Sequence, residues 1–167
     1  MTRPGPGLIL AASLVAAMGA VSAATPIAGT EAPDFVLKST SGQNVRLSEY
    51  RGEVVMLSFW ATWCGDCRAQ LEELSQMHTR YQDTGVELLA VSLDQDQGQA
   101  TKAATALGVT CPVLHDTGGE VGRLYAVDRM PMMVLIDREG VVREVFEGYR
   151  RGNEQQYLDR VQALLRE

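Results

Sequence analysis

Residues 54–70 read Val-Val-Met-Leu-Ser-Phe-Trp-Ala-Thr-Trp-Cys-Gly-Asp-Cys-Arg-Ala-Gln. The first seven are almost continuously apolar, β-branched or aromatic. Such a run predicts a central strand buried on both faces. Immediately after it come Cys64 and Cys67, three residues apart. Beyond them Leu71, Leu74, Met77, His78 and Tyr81 recur at three and four residues, the apolar stripe of an amphipathic helix. A helix over about Cys64 to Asp83 is expected, stopped by Gly85. A buried strand therefore feeds a helix through a loop that carries two thiols.

Three chemistries compete for the pair. As metal ligands, Cys64 and Cys67 supply two of the four that a closed zinc site needs, and Cys111, His78 and His115 add no paired spacing. As a structural staple, a disulfide closing so short a loop removes little unfolded-state entropy. As a redox couple, the pair sits where unpaired backbone N–H groups at a helix start favour an anion. A thiolate at Cys64 would be the nucleophile. Cys67, on the same helical face, is near enough to close a disulfide and resolve a mixed one.

Outward from this centre the chain alternates strands and helices. Phe35–Leu37 and Val45–Leu47 read as short strands around a turn at 41–43. Val86–Leu93 reads as a second central strand and Met132–Ile136 as a third. Ala100–Leu107 reads as a small-residue helix closed by Gly108. Shorter signals put a strand at Val113–Leu114 and a helix at Gly119–Tyr125. Val141–Phe146 is expected to pair as a hairpin with the third core strand. A last helix is expected, capped by Asn153, with Tyr157, Leu158, Val161, Leu164 and Leu165 on its apolar face. This order implies an α/β sandwich with a central mixed sheet.

The chain has 167 residues, 46% apolar and 22% charged, which suits one ordinary globular domain. Its first 23 residues stand apart. Arg3 is their only charge, residues 8–21 are almost wholly apolar, and Val21-Ser22-Ala23 ends in small side chains. These are the parts of a signal peptide, and the apolar run is short for a membrane span. Residues 1–23 are read as a signal peptide, with an uncleaved anchor as the alternative, 24–32 as an exposed lead-in and 33–167 as the domain. Export to the periplasm follows, a compartment where a disulfide persists. The net charge is −6, one unit more negative without Arg3, and no basic run offsets it. Nucleic acid is excluded as a partner on that ground.

The motif FWATWCGDC, with Ala32-Pro33-Asp34-Phe35 upstream and Met130-Pro131-Met132-Met133-Val134-Leu135-Ile136-Asp137 downstream, resembles the exported thioredoxin-like thiol:disulfide oxidoreductases of the TlpA/ResA branch, which overlaps the redoxins. The match runs from about Ala32 to the C-terminus. It implies a thioredoxin-like three-layer sandwich with helices on both faces of the sheet. It implies further that Cys64 is the exposed nucleophile, that Trp63 shields it, that Pro131 is cis and faces the dithiol, and that Met130 offers backbone hydrogen bonds to a bound partner strand. Substrates would be cysteine pairs of exported proteins, such as apocytochrome c or copper-centre assembly factors. Electrons would come from a membrane-bound thiol donor. No cofactor or metal is expected, and a monomer is.

Two departures stand out. Asp66 replaces the proline usual between the cysteines. At roughly 7 Å its charge would oppose a Cys64 thiolate by about 0.6 kcal/mol in a water-like dielectric, or about half a pKa unit. The same carboxylate suits the first turn of a helix. Relatives often keep a buried carboxylate beside the second cysteine, at positions that are Ser58 and Gln70 here, and neither is a base. Glu72 and Glu73 are expected to face solvent.

Among smaller signals, Cys111 reads as a small buried hydrophobe before Pro112, with a reactive thiol or a dimer link as alternatives. Met130, Met132 and Met133 with the thiols would suit Cu(I), whereas strand alternation would send neighbouring methionines to opposite faces. His78 reads as a packed residue, and His115 as a turn residue without a partner. Arg150 and Arg151 read as a solvated turn before the last helix. A peroxiredoxin-like peroxidase is the enzymatic rival to a thiol:disulfide oxidoreductase. It would want a proline ahead of its cysteine, yet Met56 stands there and no proline lies between Pro33 and Cys64. A copper-delivery module is the non-enzyme rival.

Overall fold

The computed structural model of the chain describes Met1 and residues 26–167. The signal-peptide reading of residues 1–23, and the first two residues of the lead-in, fall outside that range apart from Met1. Seven strands form one mixed sheet in the order β2-β1-β5-β4-β3-β6-β7. They are β1 (Val36–Ser39), β2 (Asn44–Arg46), β3 (Val54–Trp60), β4 (Val86–Ser92), β5 (Val113–His115), β6 (Met132–Ile136) and β7 (Val142–Glu147). Strands β3, β4 and β5 run parallel, while β6 lies antiparallel to β3 and β7 to β6.

Every residue of β3 and of β6 is buried. Successive side chains of a strand point to opposite faces, so such a strand serves two cores at once. Val54, Met56 and Trp60 of β3 join one apolar cluster. Val55, Leu57 and Phe59 join another on the far side. The first cluster is closed by α1 (Gly65–Tyr81), α2 (Gln97–Ala106) and α4 (Asn153–Leu165), through residues such as Leu71, Leu74, Ala100, Tyr157 and Val161. The second is closed by α3 (Glu120–Leu124) and its neighbours, through Val121, Tyr125, Phe35 and Leu47. The result is the three-layer sandwich expected of the sequence.

Helix α1 buries Cys67, Gln70, Leu71, Leu74, Ser75, Met77 and His78, one continuous face. A 3-10 turn (Gln82–Thr84) follows, and Gly85 at φ 87° ends the element. That left-handed conformation costs glycine nothing and most residues a good deal.

Several boundaries differ from expectation. Helix α2 starts three residues earlier than Ala100, because the Asp96 carboxylate accepts the N–H groups of Gly98 and Gln99 and so caps it. Asn153 is not the cap of α4. Gly152, at φ 101°, holds the cap position, and Asn153 is the first helical residue, its side chain accepting the Arg150 N–H at 2.9 Å. Leu47 opens a short 3-10 helix (Leu47–Tyr50) and does not extend β2. The lead-in is exposed at residues 27–31 but not free. Gly29 N–H donates to the Val142 carbonyl at 2.7 Å, Val142 N–H to Thr30 at 2.8 Å, and Ala32 N–H to Gly140 at 2.9 Å.

Candidate active site

The end of β3 presents the dithiol. Past Trp60 the chain leaves the sheet through buried Ala61, and the Cys64 N–H returns to the Ala61 carbonyl at 3.1 Å. Cys64 takes the cap position of α1, with its sulfur accepting the Cys67 N–H at 3.2 Å. A sulfur in that place replaces the capping oxygen and meets the positive end of the helix dipole. As a thiolate it would gain about 0.3–1 kcal/mol from that dipole, about half a pKa unit.

Cys64 and Cys67 are joined as a disulfide, with 5.2 Å between their Cα atoms. The two are not equivalent. Cys64 is half-buried, whereas Cys67 is wholly buried in the core behind it. Only the first is open to an incoming sulfur. Trp63, beside Cys64 in sequence, is 73% exposed. The Met130–Pro131 peptide is cis. Met130 and Cys64 pack against the same apolar cluster, and Met130 shares with Asp66 a cleft of about 450 Å³ whose other walls include Arg129, Tyr149 and Arg150. Pro131 is buried, and its carbonyl accepts the Gly148 N–H at 2.7 Å, which ties the loop to the end of β7. Thus Trp63, Cys64, Asp66, Cys67, Met130 and Pro131 gather at one end of the sheet.

Two groups at the site were not legible beforehand. Asp94, just beyond β4, is 6% exposed. Its carboxylate accepts the Thr62 N–H at 3.1 and 3.2 Å, the Thr62 hydroxyl at 2.7 Å and the Ser92 hydroxyl at 2.9 Å. It pins the loop two residues before Cys64. Tyr157, expected simply on an apolar face, also carries a hydroxyl that accepts Gln70 Nε2 at 3.0 Å. Burial pushes the Tyr157 phenol above its ordinary range. A tyrosine within an apolar helical stripe is itself a weak signal that its hydroxyl has a buried partner.

The remaining sequence candidates scatter. Met132 and Met133 enter opposite cores, as strand alternation requires, so the three methionines do not converge on one point. Cys111 is free and buried, and burial pushes its thiol up to about 12. It behaves as the small hydrophobe expected. His78 is buried with Nε2 3.4 Å from the Glu87 carboxylate, whose pKa is raised chiefly by burial. His115 is the last residue of β5 and not a turn residue. Burial lowers its pKa, against the opposing pull of the Asp94 charge. Glu72 is exposed and Glu73 half-buried.

Comparison with known proteins agrees with this geometry. Residues 28–145 match the model of the AhpC/TSA family. The thiol-disulfide oxidoreductase ResA of Geobacillus thermodenitrificans is 38% identical over 120 residues, 72% of this chain and 69% of that protein. ResA of Bacillus subtilis is 34% identical over 120 residues, 72% of this chain and 67% of its own length. Among solved structures, a Chlorobium tepidum chain described as a thiol:disulfide interchange protein, DsbE, superposes with a TM-score of 0.81. It is 37% identical, with 84% of this chain and 99% of that one covered.

Proposed function

The chain belongs to the AhpC/TSA family and is a thiol-disulfide oxidoreductase related to ResA, and we propose that it acts as a reductant of cysteine pairs in exported proteins. The observation that carries the reading is the asymmetry of the dithiol: a half-buried Cys64 whose sulfur caps α1, above a wholly buried Cys67. A thiolate at Cys64 attacks one sulfur of a partner disulfide. A Cys64–partner bond forms, the partner's S–S bond breaks, and its other sulfur leaves as a thiolate that takes a proton from water. Cys67 then attacks Cys64, the protein disulfide forms, and the partner departs with two electrons gained. A membrane-bound thiol donor returns the pair to the dithiol.

Trp63, Met130 and Pro131 form the docking side of this reaction. The Met130 backbone, next to the cis peptide, would pair with an extended partner strand. Residues 1–23 are proposed as a signal peptide or anchor that places the domain, 33–167, in the periplasm. Among the described residues no helix is long and apolar enough to cross a membrane. Cytochrome c maturation and copper-centre assembly are the settings such a reductant would serve. The peroxidase and copper-delivery readings are not favoured: the loop lacks the proline a peroxidatic cysteine would want, and the methionines diverge.

The test is the potential of the Cys64–Cys67 couple, measured by equilibration with graded thiol buffers and trapping of free thiols. A reductant should lie at or below about −200 mV, whereas a value near about −120 mV would reverse the direction of electron flow and overturn this part of the reading. Asp66 is proposed to tune the same couple. Its carboxylate is exposed in the first turn of α1, two residues from Cys64. In Asp66→Pro the Cys64 thiolate should titrate about half a unit lower. An unchanged or higher midpoint would remove Asp66 from the mechanism.

A further inference from the structure

Behind Cys67, three polar side chains from three elements meet in an otherwise apolar core. Ser58 on β3, Gln70 on α1 and Tyr157 on α4 are each 0% exposed. The Ser58 hydroxyl donates to Gln70 Oε1 at 3.5 Å, and Gln70 Nε2 donates to the Tyr157 hydroxyl at 3.0 Å. An amide NH₂ offers two hydrogens and each hydroxyl one. Two of these are used within the network. Exchanging the amide's two ends reverses both bonds and leaves the surplus unchanged. Among the described residues no further acceptor takes the spare hydrogens. Buried donors without acceptors are costly, so a surplus of them points to an acceptor that exists in another state of the protein.

Cys67 is that acceptor by position. It lies one helical turn before Gln70, on the same buried face of α1, and packs in the same cluster as Tyr157. Within the disulfide its sulfur is a weak acceptor. Once the disulfide opens, it becomes a thiol that can carry a full negative charge. Cys64, Tyr81, Cys111, Tyr149 and Tyr157 share its apolar cluster, and Asp66 stands beside it in the first turn of α1. Of these only Tyr157 is fully buried, and β3 and β6 contribute no ionisable side chain.

We propose that Gln70 donates a hydrogen bond to the Cys67 thiolate during resolution, and that Tyr157, with Ser58, is the positioning residue that holds the amide for it. This rests on the oxidoreductase reading and deepens it. The Cys67 thiol releases its proton to water. The thiolate, held by the Gln70 N–H, attacks Cys64. The Cys64–Cys67 bond forms as the Cys64–partner bond breaks, and the partner sulfur leaves with the electron pair and is protonated by water. A neutral donor serves this step where a carboxylate would itself repel the thiolate.

The experiment titrates Cys67 by thiolate absorbance in the full chain carrying Cys64→Ser. Cys111→Ala in the same background removes the other free thiol from the absorbance. Gln70→Leu and Tyr157→Phe should each raise the Cys67 midpoint by about one unit, the first by more than the second. A structural role alone would lower thermal stability and leave the midpoint in place. Tyr157→Phe keeps the ring packed edge-on against Phe146, so it decides the matter if Gln70→Leu does not fold. Midpoints within about 0.3 unit of the parent in the folded variants would overturn the proposal. Exchange of the unmodified chain with oxidised glutathione is followed alongside. No exchange would overturn the oxidoreductase reading and this proposal together, whereas exchange with unshifted midpoints would overturn this proposal alone.

Discussion

Cys64→Ser should lower disulfide exchange by on the order of 10³-fold or more, and Cys67→Ser should instead arrest it halfway. The two outcomes differ because the sulfurs differ in exposure and surroundings. Cys64 is half-buried at the start of α1, where its sulfur already accepts the Cys67 N–H. Removing it leaves at the site only Cys67, which is 0% exposed and cannot meet a partner disulfide. Removing Cys67 leaves the attacking thiolate intact. The first exchange then proceeds, and the mixed disulfide waits for an outside thiol. Mass spectrometry of the product with a small disulfide reads the difference directly: one adduct on Cys67→Ser, none at the active site of Cys64→Ser. A stable adduct on Cys64→Ser at the parent rate would reverse the assignment of nucleophile and resolving thiol.

The place of the dithiol was legible in the sequence because its signals are local. A continuous apolar run fixes β3, a three- and four-residue recurrence fixes α1, and the thiols stand at the junction between them. The same holds for β4 and β6, whose apolar runs leave no choice about burial. At the last helix, Asn153 was read as the cap, but the left-handed turn into α4 puts Gly152 there. At α2, Gly98 in the first turn masks a start that Asp96 nevertheless caps.

The supporting polar groups were not legible, and the reason is distance along the chain. Gln70 meets Tyr157 across 87 residues, and Thr62 meets Asp94 across 32. No periodicity or propensity encodes such pairs. Ser58 and Gln70 could be recognised beforehand as lacking a carboxylate, but not as two parts of one hydrogen-bonded chain. Only the packing of α4 over β3 and α1 brings the Tyr157 hydroxyl to them.

Asp94→Ala should cost about 3 kcal/mol of stability, and Asp94→Asn about half as much. The carboxylate accepts hydrogen bonds from the Thr62 amide, the Thr62 hydroxyl and the Ser92 hydroxyl while being 6% exposed. Alanine leaves those donors without an acceptor in a place that admits little water. Asparagine keeps one carbonyl oxygen but turns an NH₂ toward donors and loses the charge that strengthens each bond. For a domain of this size the alanine change corresponds to a fall in Tm of about 10 °C. The effect should also reach the chemistry. Thr62 sits two residues before Cys64, between the end of β3 and the start of α1, so a freed Thr62 loosens the approach to the nucleophile. Disulfide exchange by the folded variant should slow about tenfold. His115 gives a local readout by NMR. Burial lowers its pKa and the Asp94 charge opposes that, so removing the charge should lower its midpoint further. Thermal unfolding of Asp94→Ala within about 0.5 kcal/mol of the parent, with an unmoved His115, would mean that water replaces the carboxylate at no cost and that the loop is held by the sheet alone.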